Sequence, residues 1–98
     1  MTGEPIDAQQ AFEWGLISRV VPPERLEAEV AEVAGRLAAG ATVAIGAVKT
    51  TLTRGWTLTV EEGYNLSEYQ NARVGRSQDA TEGRAAFRER REPTFTGL

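Results

Sequence analysis

The sequence predicts a mostly α-helical fold of about five helices with one short strand-like connector. Three observations carry that expectation. Apolar residues recur at helical spacing, capping residues open several of the periodic stretches, and glycine or proline punctuates their ends. Only residues 16–21 break the pattern.

Asp7, with Gln10 three residues on, predicts a capping box at the start of a first short helix. Ala8, Ala11 and Phe12 give this helix an apolar side, and Gly15 is its expected stop. Leu16-Ile17-Ser18-Arg19-Val20-Val21 is β-leaning. A lone strand is unstable by itself, so this run points to a sheet that the 98 residues do not hold.

Pro22-Pro23 ends the run and suits the first turn of a second helix, where Glu24 meets the positive end of the helix dipole. Leu26, Val30, Val33, Ala34, Leu37 and Ala38 form one stripe, with Glu27, Glu29, Glu32 and Arg36 opposite, until Gly40. A third helix is expected from Thr42 to just before Gly55, striped by Ala44, Ile45, Val48 and Leu52. Its threonines and Gly46 weaken it, and a close helix crossing at Gly46 would account for that glycine.

Thr59-Val60-Glu61-Glu62 reads as a capping box opening a fourth helix that runs to about Val74. Val60 and Tyr64 fall on one side of it, Leu66 and Tyr69 on another, which fits a helix contacted on several sides. Asp79 followed by Glu82 predicts the start of a fifth helix, which reaches about Arg91 before Pro93 stops it. Residues 94–98 read as an extended tail.

The composition excludes several chemistries. The chain has no cysteine and no histidine, so neither a disulfide nor a Cys/His metal site can form, and no imidazole is available as an acid or base. No nucleophile–base constellation or glycine-rich phosphate loop is present. The paired carboxylates Glu61-Glu62 and Glu27, Glu29 and Glu32, and the single Lys49, read as helix-start, solvated or ion-paired groups rather than as an acid or base, and no metal is expected. No apolar run approaches bilayer length, and Met1-Thr2-Gly3-Glu4-Pro5 lacks the pattern of a secretory leader. The expectation is a cytoplasmic protein with no membrane partner.

Charge is unevenly spread. Residues 1–72 carry five basic and ten acidic residues, whereas 73–98 carry six and four. The six are Arg73, Arg76, Arg84, Arg88, Arg90 and Arg91. Such a group can meet a phosphate, although a solvated helix face of mixed charge is the plainer reading. Phe87 stands among four of these arginines, and a ring beside guanidinium groups can stack on a purine whose phosphates the cations reach.

Two stretches carry a family resemblance. The first is Thr2-Gly3, an Ile6-Asp7-Ala8 helix start, Gly15-Leu16-Ile17, and Val20-Val21-Pro22. The second runs Asp79-x-x-Glu82-Gly83-x-x-Ala86-Phe87-x-Glu89-x-Arg91-x-Pro93-x-Phe95-x-Gly97. In this order, with helices between them, they resemble the C-terminal segment of the enoyl-CoA hydratase/isomerase (crotonase) family, over essentially the whole chain.

The resemblance implies the helical C-terminal part of a crotonase-like α/β fold. Residues 1–22 would end the core and 23–98 would form the helical oligomerisation and CoA-contact region. In the family an N-terminal core binds the acyl-CoA thioester, supplies a backbone oxyanion hole and carries two catalytic glutamates. None of these has a counterpart among these residues, so the segment alone is expected to be inactive. The C-terminal helices build trimers or hexamers. The terminal Phe and basic residue commonly meet the CoA adenine and phosphate of a neighbouring subunit, which carries over to Phe87 and Arg90. Coenzyme A enters as part of the substrate. Two departures stand out: Arg90 replaces the usual lysine, and Gln10 the usual glutamate. Two other readings are a stand-alone helical interaction module and a small nucleic-acid binder. The acidic balance and the lack of a helix-turn-helix pattern oppose the second, so no nucleic-acid partner is expected.

Overall fold

The computed structural model describes residues 3–98. Thr2, the start of the Thr-Gly pair, lies outside them. The described residues form five α-helices and no strand and divide into two compact units, one ending at Val33 and the other spanning Ala34–Leu98.

In the first unit, α1 spans Ala8–Glu13. The Asp7 side chain accepts from the Gln10 N–H at 2.7 Å, its half of the expected box. Gly15 turns the chain at φ 72, a conformation that suits glycine. Its N–H donates to the Phe12 carbonyl and that of Leu16 to Ala11, which satisfies the last free carbonyls. The strand-like connector Leu16–Val21 is irregular here. Its β-branched residues favour a pleated surface, but no neighbouring strand among the described residues gives it a ladder. Pro23–Arg25 forms a 3₁₀ turn leading into α2, Leu26–Ala38. Arg19 and Glu29 form an ion pair between the connector and this helix.

In the second unit, α3 (Thr42–Gly55) packs against α4 (Val60–Gly75), and α4 against α5 (Gln78–Glu89). The threonines of α3 are tolerated partly because they bond back along the helix. Thr50 Oγ1 donates to the Gly46 carbonyl and Thr53 Oγ1 to that of Lys49, each at 2.9 Å. No close crossing explains Gly46, since nothing stands within 4 Å of where its Cβ would be. The capping box of α4 is complete: Thr59 Oγ1 accepts from the Glu62 N–H, and Glu62 Oε2 accepts from the Thr59 N–H at 2.8 Å.

The start of α5 differs from the sequence reading. Ser77 is the cap, its Oγ accepting from the Ala80 N–H at 3.0 Å, and Asp79 lies inside the first turn. The helix also ends at Glu89, two residues before the expected end.

Little is buried. Ala47 and Ala86 are the buried apolar residues among those described, while Trp56 is 89% and Val60 93% exposed. The α2 stripe of Leu26, Val30 and Leu37 is also more than half exposed. No single described helix is long and apolar enough to cross a membrane.

Candidate functional site

The nine residues after α5 fold back along it, and two acidic side chains of that helix hold them. Asp79 is only 2% exposed. Its Oδ1 accepts from the Thr96 N–H at 2.7 Å and its Oδ2 from the Gly97 N–H at 3.0 Å. A buried carboxylate without such donors is costly, and its place in the first turn adds the favourable end of the helix dipole. The Leu98 main-chain oxygen accepts from the N–H groups of Gln78 and Asp79, at 2.7 and 3.2 Å, so the tail also caps the helix. Residues 94–98, expected as an extended tail, are therefore a strap.

One turn further along α5, Glu82 receives both arms of the Arg91 guanidinium, Nη1 on Oε1 at 2.6 Å and Nη2 on Oε2 at 2.9 Å. It also accepts from the Thr94 N–H at 2.8 Å. The Arg91 fork, followed by the Thr94 N–H, holds the Glu82 carboxyl down from its ordinary 4.5 to about 2. In return Glu82, and then Glu89, push the Arg91 guanidinium further up. At the head of α4, the Thr59 N–H and then its hydroxyl lower the Glu62 carboxyl in the same way.

Arg91 reaches back because the chain turns left-handed at Arg90, φ 54 and ψ 42. The Arg90 N–H donates to the Phe87 carbonyl and that of Arg91 to Ala86, the same bonding pattern that closes α1 at Gly15. For a residue with a Cβ this conformation costs about 1–2 kcal/mol. Arg90 sits where glycine is the usual occupant.

The two site residues expected from the sequence fall on this helix end. Phe87 is 86% exposed and lines an open hollow of about 400 Å³ with Thr81, Gly83, Arg84 and Arg88. Arg90 does not line the hollow but follows it, exposed, at the helix terminus. Of the arginine cluster, Arg91 is engaged by Glu82 and Glu89, and Arg84 Nη2 donates to Thr81 Oγ1 at 3.3 Å. No ion pair engages Arg88 or Arg90 among the described residues. Gly83 joins hollow to strap, since a Cβ there would meet the Phe95 ring at 3.6 Å. Sequence reasoning placed Arg84 and Arg88 in the basic cluster, but it missed Thr81 and Gly83 as walls and gave Asp79 and Glu82 only a capping role.

The hollow offers an aromatic face, guanidinium donors and the Thr81 hydroxyl, which Arg84 engages. That suits binding of a flat, anionic group rather than bond-making. Among the described residues, no group of three His, Cys, Asp or Glu is placed to hold a metal ion.

The profile of a family described as enoyl-CoA hydratase/isomerase matches residues 1–98. The chain belongs to that family. It is similar to the carnitinyl-CoA dehydratases of Citrobacter koseri and Proteus mirabilis, each 38% identical across 99% of this chain. It spans only 39% of the length of either relative. Among solved structures it is similar to an enoyl-CoA hydratase from Geobacillus kaustophilus, with TM-score 0.94 and 34% identity over 99% of this chain and 37% of that one. An enoyl-CoA hydratase/isomerase from Mycobacterium paratuberculosis aligns with TM-score 0.91 and 33% identity, over 99% and 38% of the two chains. Five helices without a strand fit the helical C-terminal part of the crotonase-like fold.

Because its folded pKa is depressed, Glu82 contributes stability that is present above about pH 4.5 and lost as pH falls through about 2. The stability gap between the wild type and Glu82→Gln, read from urea midpoints, is expected to stay level from about pH 7 to 5 and to close towards pH 2. A gap that is unchanged at pH 2 contradicts this assignment.

Proposed function

We propose that this chain is the C-terminal helical part of an enzyme acting on acyl-CoA thioesters, a hydratase, isomerase or related lyase. In this reading it supplies subunit assembly and part of the CoA site, and the bond-making groups belong to the rest of the enzyme. The observation that carries the CoA role is the exposed Phe87 ring in a hollow flanked by Arg84 and Arg88, with Arg90 beyond it. A purine stacks on such a ring, and phosphates meet the guanidinium groups through charge-assisted hydrogen bonds. The relatives' names, carnitinyl-CoA dehydratase and enoyl-CoA hydratase, point to CoA thioesters as the substrate class.

Assembly into trimers or hexamers is supported by the exposed apolar faces. Trp56, Val60, Tyr64 and Tyr69 stand open on α4 or just before it, and the α2 stripe is open as well. So many large apolar side chains left open fit faces that other protein covers. A cytoplasmic, fatty-acid-metabolising enzyme is consistent with the cysteine-free composition.

In the whole enzyme, Phe87→Ala combined with Arg90→Ala is expected to raise KM for acyl-CoA about ten- to hundredfold and to change kcat less. An unchanged KM removes the CoA assignment. Sedimentation of the enzyme carrying Trp56→Gln and Val60→Glu is expected to show smaller species than the wild type, with helical circular dichroism retained. An assembly state that the double substitution leaves intact contradicts a subunit contact at that face.

A further inference from the structure

We propose that Asp79 and Glu82 are positioning residues for the Phe87–Arg90 surface. They hold the 94–98 strap and the Arg91 side chain along α5, and through them fix the turn and the face on which the binding groups stand. This role rests on the reading of that surface as the nucleotide end of a CoA site.

Neither carboxylate lines the hollow beside Phe87, so any effect on binding passes through other groups. Three connections transmit it. The first is the left-handed turn at Arg90. A non-glycine residue persists there when its surroundings over-determine the backbone. The next residue does so, because Arg91 is held two-pronged on Glu82, nine residues back, with its Nε on Glu89 at 2.6 Å. Releasing the fork frees the turn and the direction in which Arg90 leaves the helix.

The second connection is the strap. Thr94, Thr96 and Gly97 are held by their main-chain N–H groups on Glu82 and Asp79, so the carboxylates set where the strap runs. The third is Phe95. It lies against Gly83, which also lines the Phe87 hollow, so displacing the strap removes a support next to the ring's site. The pairing of a buried acid with a half-buried one makes the two roles separable. Asp79 anchors the buried end, while Glu82 stands at the surface where substitution removes no core volume.

The test compares two substrates in the whole enzyme: an acyl-CoA, and the same acyl group on pantetheine, which lacks the nucleotide. Asp79→Asn and Glu82→Gln are each expected to raise KM for the acyl-CoA about tenfold with kcat within about twofold, and to leave both constants for the acyl-pantetheine unchanged. Equal losses on both substrates would show that the acids only keep the protein folded, and overturn the proposal. Unchanged constants on both would overturn it too. Should Asp79→Asn fail to fold, Glu82→Gln and Arg91→Gln carry the same comparison from the surface. Phe87→Ala is measured alongside. If it fails to discriminate the two substrates, the nucleotide reading itself has failed. If it discriminates and Glu82→Gln does not, the positioning role alone is lost.

Discussion

A carboxylate with no cation beside it, buried at the start of a helix, is the constraint on which this fold depends. Among the described residues Asp79 has no ion-pair partner, yet it is almost wholly enclosed. Only the strap's N–H groups and its place in the first turn of α5 make that burial affordable. The cost runs both ways, because the strap has main-chain donors that need acceptors as much as Asp79 needs donors. Helix and strap each complete the other. Glu82 repeats the arrangement one turn on and adds the Arg91 fork, so residues 79–97 behave as a single interlocked unit.

This interlock explains why acidic residues near the head of α5 and glycine at the tail occur together. Gly97 adopts φ 78, and a Cβ there would come within 2.6 Å of Thr42 Oγ1 at the head of α3. The strap thus runs beside α3 as well as α5, and only glycine fits. By contrast, the outer faces of the helices have little to bury. Two alanines supply the buried apolar residues, and large side chains such as Trp56 and Val60 stand in the open. The chain orders its last residues by hydrogen bonds while leaving large apolar side chains uncovered, and it spans 39% of the length of the relatives it matches.

Local signals were legible in the sequence where the physics is local. Thr59 with Glu62 and Gly15 after Trp14 do what their spacing says, and Asp7 makes its half of the box expected with Gln10, because caps and left-handed stops are settled within a turn. The start of α5 was misread since Ser77 and Asp79 both satisfy the rule for a cap, and the deciding partners of Asp79 are 17 and 18 residues away. The run 16–21 behaves as a β-leaning run without a partner must: it is irregular, because strand character needs a neighbouring strand to pair with. The site was half visible. Phe87 among arginines was plain, but the sequence has no means of telling which arginine is tethered. The fold spends Arg91 on Glu82 and leaves Arg90 exposed at a left-handed turn.

The most direct test of this account is amide hydrogen exchange at Thr96 and Gly97, in the wild type and in Asp79→Asn. A strap held by Asp79 predicts slow exchange at both amides in the wild type, lost in the variant while the amides of α3 and α4 keep their protection. Fast exchange at Thr96 and Gly97 in the wild type would mean that the strap is not bound to α5, and that something other than Asp79 orders this end of the chain.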